Sequence, residues 1–281
     1  MPHKSIIKWA GSKRKLLDEI VTRLPIFDSY YEPFCGSACV YFNLVPSCSS
    51  HPYYLNDINA ELINVYNTVK TSPGLLILEL KQFKNTEREF LKIRNVDRLD
   101  EYKRWSSIEK AARFIFLNKT AFNGLYRVNS KGQFNVPYGH YTNPTIVDEQ
   151  TIMSCSESLG RAILTSKPFD EHLYESLLMR KDIDFRNVFV YLDPPYIPIS
   201  DSSNFTAYTK TGFSLDDQKL LLKLCNKMTN LGIKWMQSNS ASDIVVDLYK
   251  NYEIDMVQTR RSISASSKGR GIVNEALIRN Y

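Results

Sequence analysis

Five apolar residues in a row, Val188-Phe189-Val190-Tyr191-Leu192, run directly into Asp193-Pro194-Pro195-Tyr196. An apolar run of this length, closed by a turn signal, reads as a buried strand. Proline has no N–H to give to a sheet and restricts the residue before it, so the strand ends here and the loop beyond it is stiff. The loop then presents a carboxylate, a proline carbonyl with no ladder partner and an aromatic face. That set suits an exocyclic amine on a planar ring. The Asp193 carboxylate and the Pro194 carbonyl accept from the amine, and Tyr196 stacks on the ring. Such an amine is a poor nucleophile because its lone pair is delocalised into the ring. Two acceptors in tetrahedral arrangement favour a localised lone pair. The plainer alternative is an ordinary Pro-rich loop at the top of a sheet.

The flanking sequence supplies a sheet for this strand. Ser12 is placed to cap a helix running to about Leu24, with Leu16, Leu17, Ile20, Val21 and Leu24 as its apolar stripe. Residues 30–34 and 52–56 read as strands, 39–44 as a helix start and 59–70 as a helix. Strand, turn, helix, strand, helix is the opening of a Rossmann-like α/β sheet. From 73 to 117 the pattern is mostly helical, with Ser72-Pro73 opening one helix and the capping-box pattern Ser106-Ser107-Ile108-Glu109 another. Residues 125–128 and 133–136 flank Asn129-Ser130-Lys131-Gly132, a β-hairpin signal. The α/β alternation returns with strands over 162–165 and 188–192, both expected to be buried, and a helix over 215–231 ended by Gly232. Further strands fall at 233–237, 254–259 and 276–280. The simplest organisation is one α/β domain, residues 1–61 plus 148–281, with a helical-plus-β-hairpin insert over 62–147.

Composition narrows the class. At 281 residues, 43% hydrophobic and 23% charged, the chain can bury one large core, or one core plus an insert. No window approaches the ~18 apolar residues of a membrane helix. Five scattered cysteines without paired CxxC motifs, and four histidines without HxxxH spacing, argue against a disulfide framework and a zinc site, so no metal is expected. The first fifteen residues carry no apolar signal core, which leads to the expectation of a reducing, intracellular setting. The net charge of +6 permits a polyanionic partner without establishing one. Basic residues cluster at 8–14, 127–131 and 260–270.

Three further segments carry chemistry. Glu32-Pro33-Phe34-Cys35-Gly36-Ser37 closes the first strand, and Asp57 ends the second, where an acid can bond ribose hydroxyls. Without GxGxxG, an adenosine ligand lacking a pyrophosphate fits better than a dinucleotide, S-adenosylmethionine being an example. A tight strand-to-helix turn is the alternative. In Lys8-Trp9-Ala10-Gly11-Ser12-Lys13-Arg14, Trp9 can pack on a cofactor while Lys13 neutralises its carboxylate; a solvated basic helix entry is the alternative. In the hairpin block 122–139, Arg pairs with a guanine edge, Asn with adenine, and Leu wedges at a base step. A surface hairpin whose Asn and Gly residues serve only its turns is the alternative. Residues 266–271, Ser-Ser-Lys-Gly-Arg-Gly, fit a phosphate contact and a solvated loop equally well.

Together, and in this order, these segments resemble the Dam-type DNA adenine-N6 methyltransferases, particularly those of DpnII-like restriction-modification systems. The resemblance covers KWAGSK, EPFCGS, NDINAELINVY, FNGLYRVNSKGQFNVPYG, LDPPY, FTAYTKTGFSLDDQ, SNS and NEALIRNY, with the cofactor turn before the insert and DPPY after it, the alpha arrangement. It implies a mostly parallel seven-stranded sheet with one antiparallel strand. It implies an S-adenosylmethionine site at Trp9, Lys13, Phe34, Gly36, Asp57 and Asp193, and a grip on a flipped adenine by Asp193, Pro194 and Tyr196. The insert becomes a target recognition domain, in which Asn123, Leu125, Arg127 and Pro137, with Lys8, contact or wedge the DNA. The implied target is GATC or a GAT-containing site in double-stranded DNA. The implied setting is a monomer in the cytoplasm, or a viral replication compartment, beside a cognate restriction endonuclease. One position departs: Ala38 stands where the family's turn often carries another Gly, and its methyl points to crowding at the methionine end of the cofactor. DPPY by itself also fits N4-cytosine and RNA adenine methyltransferases, and a non-catalytic DNA-binding relative is the competing class.

Overall fold

The computed structural model describes residues 4–44, 52–196, 213–260 and 272–281. Cys48, the 205–212 portion of the FTAYTKTGF block, the basic run after Arg260 and the 266–271 segment lie outside the described residues. Seven strands form one sheet: β1 Ser29–Glu32, β2 Tyr53–Asn56, β3 Ala162–Thr165, β4 Val188–Leu192, β5 Lys234–Ser240, β6 Glu253–Arg260 and β7 Ile272–Arg279. Their order is β3-β2-β1-β4-β5-β7-β6. The first five pair in parallel, and β7 runs antiparallel to both β5 and β6. This is the Rossmann-like α/β arrangement with one reversed strand.

The apolar run of β4 has a direct cause: both faces of the sheet are covered. Tyr30, Tyr53, Leu55, Phe189 and Tyr191 point to one face. There they meet α2 Cys39–Leu44, α3 Ala60–Thr71, α4 Pro73–Leu80, α6 Ser107–Thr120 and α7 Glu149–Leu159. Tyr31, Tyr54, Val188, Val190 and Trp235 point to the other, against α8 Phe169–Leu173, α9 Leu215–Asn230 and α10 Asp243–Leu248. A third, smaller cluster joins Phe90 and Ile93 of α5 Glu87–Asn95 to Phe116, Leu117, Phe134 and Val136. Helix α6 serves two clusters, Phe114 and Ile115 on the sheet side and Phe116 and Leu117 on the hairpin side. Its start is the expected capping box of Ser106 and Glu109.

Three expectations are corrected. The single helix from Ser12 to Leu24 is instead a 3-10 turn, Lys13–Lys15, followed by the short α1 Leu17–Val21. Ser12 does not cap it, because its hydroxyl takes a 3.0 Å bond from Ser37 Oγ. Strand β3 is not buried throughout; Ile163 is 43% exposed because β3 forms the sheet edge. The hairpin forms as a turn with one isolated bridge, Val128 to Phe134, rather than two strands. Asn129 Oδ1 accepts from the N–H groups of Lys131 and Gln133, both at 3.0 Å, so a side chain closes the turn.

Candidate active site at the ends of β1 and β4

Strand order places β1 beside β4, with Tyr31 opposite Val190. The two loops that leave their carboxyl ends, 33–38 and 193–196, therefore open on the same crevice, at the point where chain order in the sheet reverses. Asp57 reaches this crevice from the neighbouring β2 and organises the first loop. Its Oδ2 accepts from Gly36 N–H at 3.0 Å and its Oδ1 from Asn59 N–H at 2.9 Å. Burial pushes the Asp57 carboxyl up to about 6, against the pull of those two N–H donors. Gly36 adopts φ +45°, and a β-carbon there would stand 2.8 Å from Trp9 Cδ1. The indole thus lies directly on the backbone of the turn, an approach that requires glycine. The same indole stacks on Tyr126, with ring centres 5.7 Å apart.

The segment that carries Lys13 joins the two loops, with Trp9 against Gly36 and Ser12 Oγ accepting from Ser37 Oγ on one side, and Lys13 meeting Asp193 and Tyr196 on the other. The Lys13 ammonium lies 2.7 Å from Asp193 Oδ1, donates to Gly11 O at 2.9 Å and stands 4.9 Å above the Tyr196 ring centre. Burial works to lower the Lys13 pKa, but the Asp193 carboxylate, with lesser help from Tyr191 and Glu275, holds it above the ordinary ammonium value. Burial pushes the Asp193 carboxyl up to about 6 against the pull of Lys13. Around neutral pH the pair is therefore ionised. Pro194 is buried, while Pro195 and Tyr196 are half-buried at the mouth. Phe34 packs against the cluster on the other face of the sheet from that of Trp9, with Phe169 and Phe213 at 5.2 and 6.0 Å. Ala38 has φ +50° and no exposure, so an alanine occupies left-handed backbone where glycine is favoured.

The second group of candidates gathers around Asn118 of α6. Asn118 Oδ1 accepts from Lys8 N–H at 2.8 Å, and its Nδ2 donates to Lys8 O at 2.7 Å and to Gly124 O at 3.0 Å. This clamp holds Lys8 against the turn that contains Asn123, itself at φ +55°. Leu125 is half-buried against the third cluster. Arg127 is exposed, with Nε donating to Asn135 Oδ1 at 2.8 Å. Pro137 is exposed, and its carbonyl accepts from Phe122 N–H at 2.9 Å. The two groups meet at residues 8 and 9, where Lys8 belongs to one and Trp9 to the other.

Four residues to which the sequence assigned no individual role contribute. Asn118 is 1% exposed in the middle of an apolar helix face and showed no local signal. Glu32 is 2% exposed and accepts from Tyr30 Oη at 2.8 Å. Burial pushes its carboxyl up to about 8 against that hydrogen bond. Glu275 accepts from Tyr196 Oη at 2.6 Å. Glu61 accepts from Tyr102 Oη at 2.6 Å and Tyr126 Oη at 3.5 Å, and so ties the start of α3 to the hairpin.

Comparison with known proteins decides the family. The D12 class of N6 adenine-specific DNA methyltransferases matches residues 9–263. The chain belongs to that family. A type II methyltransferase of Lactococcus lactis subsp. cremoris is 40% identical, over 98% of this chain and 94% of its own. A type II methyltransferase of Methanocaldococcus jannaschii is 36% identical over the full length of both. The DNA adenine methylase of Escherichia coli strain K12 is 31% identical, over 98% of this chain and 94% of its own. The protein is thus an adenine-specific DNA methyltransferase, and DNA is its substrate. No helix among the described residues is long and apolar enough to cross a membrane.

Proposed function

We propose that this methyltransferase takes its methyl group from S-adenosylmethionine and delivers it to N6 of an adenine flipped out of double-stranded DNA, within GATC or another GAT-containing site. The observation that carries this reading is the joining of the Asp57–Gly36 turn to the Asp193–Tyr196 loop through residues 9–13, with Trp9 against Gly36 and Lys13 against Asp193 and Tyr196. The donor set fits the cofactor. A carboxylate has about four acceptor sites; Asp57 spends two on backbone N–H groups and keeps capacity for two ribose hydroxyls. Trp9 offers an apolar face beside the turn, and the Lys13 ammonium suits a carboxylate. When bound, the cofactor supplies an electrophilic methyl carbon on a sulfonium sulfur.

This chain's own residues then act on the target base. Base flipping brings N6 to a site inaccessible within the stack. The Asp193 carboxylate and the Pro194 carbonyl accept the two N6 hydrogens and draw the lone pair out of the ring. Tyr196 stacks on the base and holds it in the crevice. Residues 62–147 serve as the target recognition domain on a catalytic domain made of 1–61 plus 148–281. Lys8, Asn123, Leu125, Arg127 and Pro137 contact the recognition site. We place the protein in the cytoplasm, or in a viral replication compartment, acting as a monomer beside a cognate restriction endonuclease.

Two substitutions test the assignment. Asp193→Ala abolishes methyl transfer while far-UV circular dichroism stays native. Asp57→Ala weakens S-adenosylmethionine binding by calorimetry at least tenfold. Near-normal turnover in the first variant contradicts the catalytic role, and unchanged affinity in the second contradicts the cofactor site.

A further inference from the structure

Tyr196 is held at both ends. Its main chain follows two prolines, and its hydroxyl donates to Glu275 Oε2 at 2.6 Å, a short charge-assisted bond. Glu275 sits on β7, in register with Ser240 of β5 on one side and Val257 of β6 on the other. A carboxylate on the one reversed strand therefore reaches over the end of the sheet to the loop that leaves β4.

We propose that Glu275 is a positioning residue for methyl transfer, fixing the plane of the Tyr196 ring against which the target base stacks. The assignment rests on the reading of Tyr196 given above. A half-buried ring at the mouth of a crevice would otherwise tilt, and a tilted ring gives the base no defined plane. Misplacement of a reacting group by about 1 Å can cost on the order of a hundredfold in rate. The phenol also gains electron density by donating to a carboxylate. An electron-rich face favours a cation above it, as the Lys13 ammonium 4.9 Å from the ring centre already illustrates. N6 takes on positive charge as its bond to the methyl carbon forms and before it sheds a proton, so an electron-rich ring beneath the base lowers the cost of that charge.

The test is single-turnover and steady-state kinetics on duplex DNA for the wild type, Glu275→Ala, Glu275→Gln, Tyr196→Phe and the Glu275→Ala/Tyr196→Phe double variant. Glu275→Ala and Tyr196→Phe each lower kcat about tenfold and leave the S-adenosylmethionine Kd within about twofold. The double variant is no slower than either single one, because both remove the same bond. Glu275→Gln keeps most of the rate, since its amide oxygen still accepts from the phenol. Tyr196→Phe retains the ring and reports on the bond even where Glu275→Ala lowers stability. A kcat within twofold of wild type for both Glu275→Ala and Tyr196→Phe, or losses that multiply in the double variant, overturns the assignment alone. A wild type that transfers no methyl to adenine overturns the functional reading and the assignment with it.

Discussion

Asp193 sits 2.7 Å from a buried ammonium and yet has its carboxyl pushed up to about 6, because burial outweighs that attraction. Asp57, one strand away in the crevice, is likewise pushed up to about 6 by burial. Protonation turns one acceptor oxygen of each into a donor and removes its charge, so the roles assigned to them need both ionised. The rate at limiting S-adenosylmethionine therefore falls as pH drops through 6, more steeply than one ionisation allows. A pH profile that is flat from 7 to 5 contradicts this. Ala38 offers a second residue-scale test. Its φ of +50° is left-handed, and its methyl is fully enclosed. Ala38→Gly relieves about 1–2 kcal/mol of backbone strain, offset by a looser unfolded chain worth about 0.4–1 kcal/mol and a lost buried methyl worth about 0.8 kcal/mol, so stability stays within about 1 kcal/mol of wild type. A thermal midpoint little changed from wild type checks it, and a loss of more than about 1 kcal/mol counts against the strained turn. At this scale the sequence was legible where chemistry is local. Asp193, Tyr196, Asp57 and Gly36 all lie in short motifs that state their own geometry. Glu275 and Glu32 were not legible, because one depends on a strand far away in the chain and the other on enclosure.

Helix α6 and the hairpin behind it behave as one element because buried charge ties them together. Arg113 is 2% exposed and donates from Nη2 to Asp97 Oδ2 at 2.6 Å and from Nε to Ile93 O at 3.0 Å. Asp97 Oδ2 also accepts from Phe134 N–H at 2.8 Å, which anchors the returning limb of the hairpin. Asp97→Ala strands a buried guanidinium and costs about 3–5 kcal/mol by denaturant titration; a loss below about 1 kcal/mol contradicts the anchoring role. On the hairpin itself, Arg127 is exposed and held toward Asn135 by two of its donors, Nε at 2.8 Å and Nη2 at 3.5 Å, with the rest of its five N–H groups left to face a guanine edge. Arg127→Ala relaxes discrimination at one guanine position by about 1–3 kcal/mol, read from rates on duplexes mismatched one position at a time. Unchanged selectivity counts against it. The start of α6 was readable from its capping box at Ser106, since capping is settled within four residues, while the Asn59 cap of α3 is seen in the structure. The N-terminal helix misled for the converse reason. Ser12 and Lys13 spend their polar atoms on Ser37 and Asp193, and tertiary partners override local propensity.

Across the whole molecule, one topological fact makes the site. The chain visits β1, β2 and β3 outward in one direction and β4 and β5 outward in the other, so only at β1 and β4 do two carboxyl-end loops share a crevice. The apolar runs, the α/β alternation and the motif order revealed this sheet, because each strand and turn carries its own signature. Pairings such as Lys13 with Asp193, or Tyr196 with Glu275, become visible only once the strands are ordered. The central claim is that this crevice transfers a methyl group to adenine N6, with Asp193 as the acceptor of the amine. The direct measurement incubates the protein and its Asp193→Ala variant with unmethylated duplex DNA and S-adenosylmethionine labelled in the methyl group. The DNA is then digested to nucleosides and modified positions are mapped by sequencing. The account predicts label solely in N6-methyladenine, confined to GATC or one GAT-containing motif, and none with the variant. Label in N4-methylcytosine, or methyl transfer retained by Asp193→Ala, would contradict it.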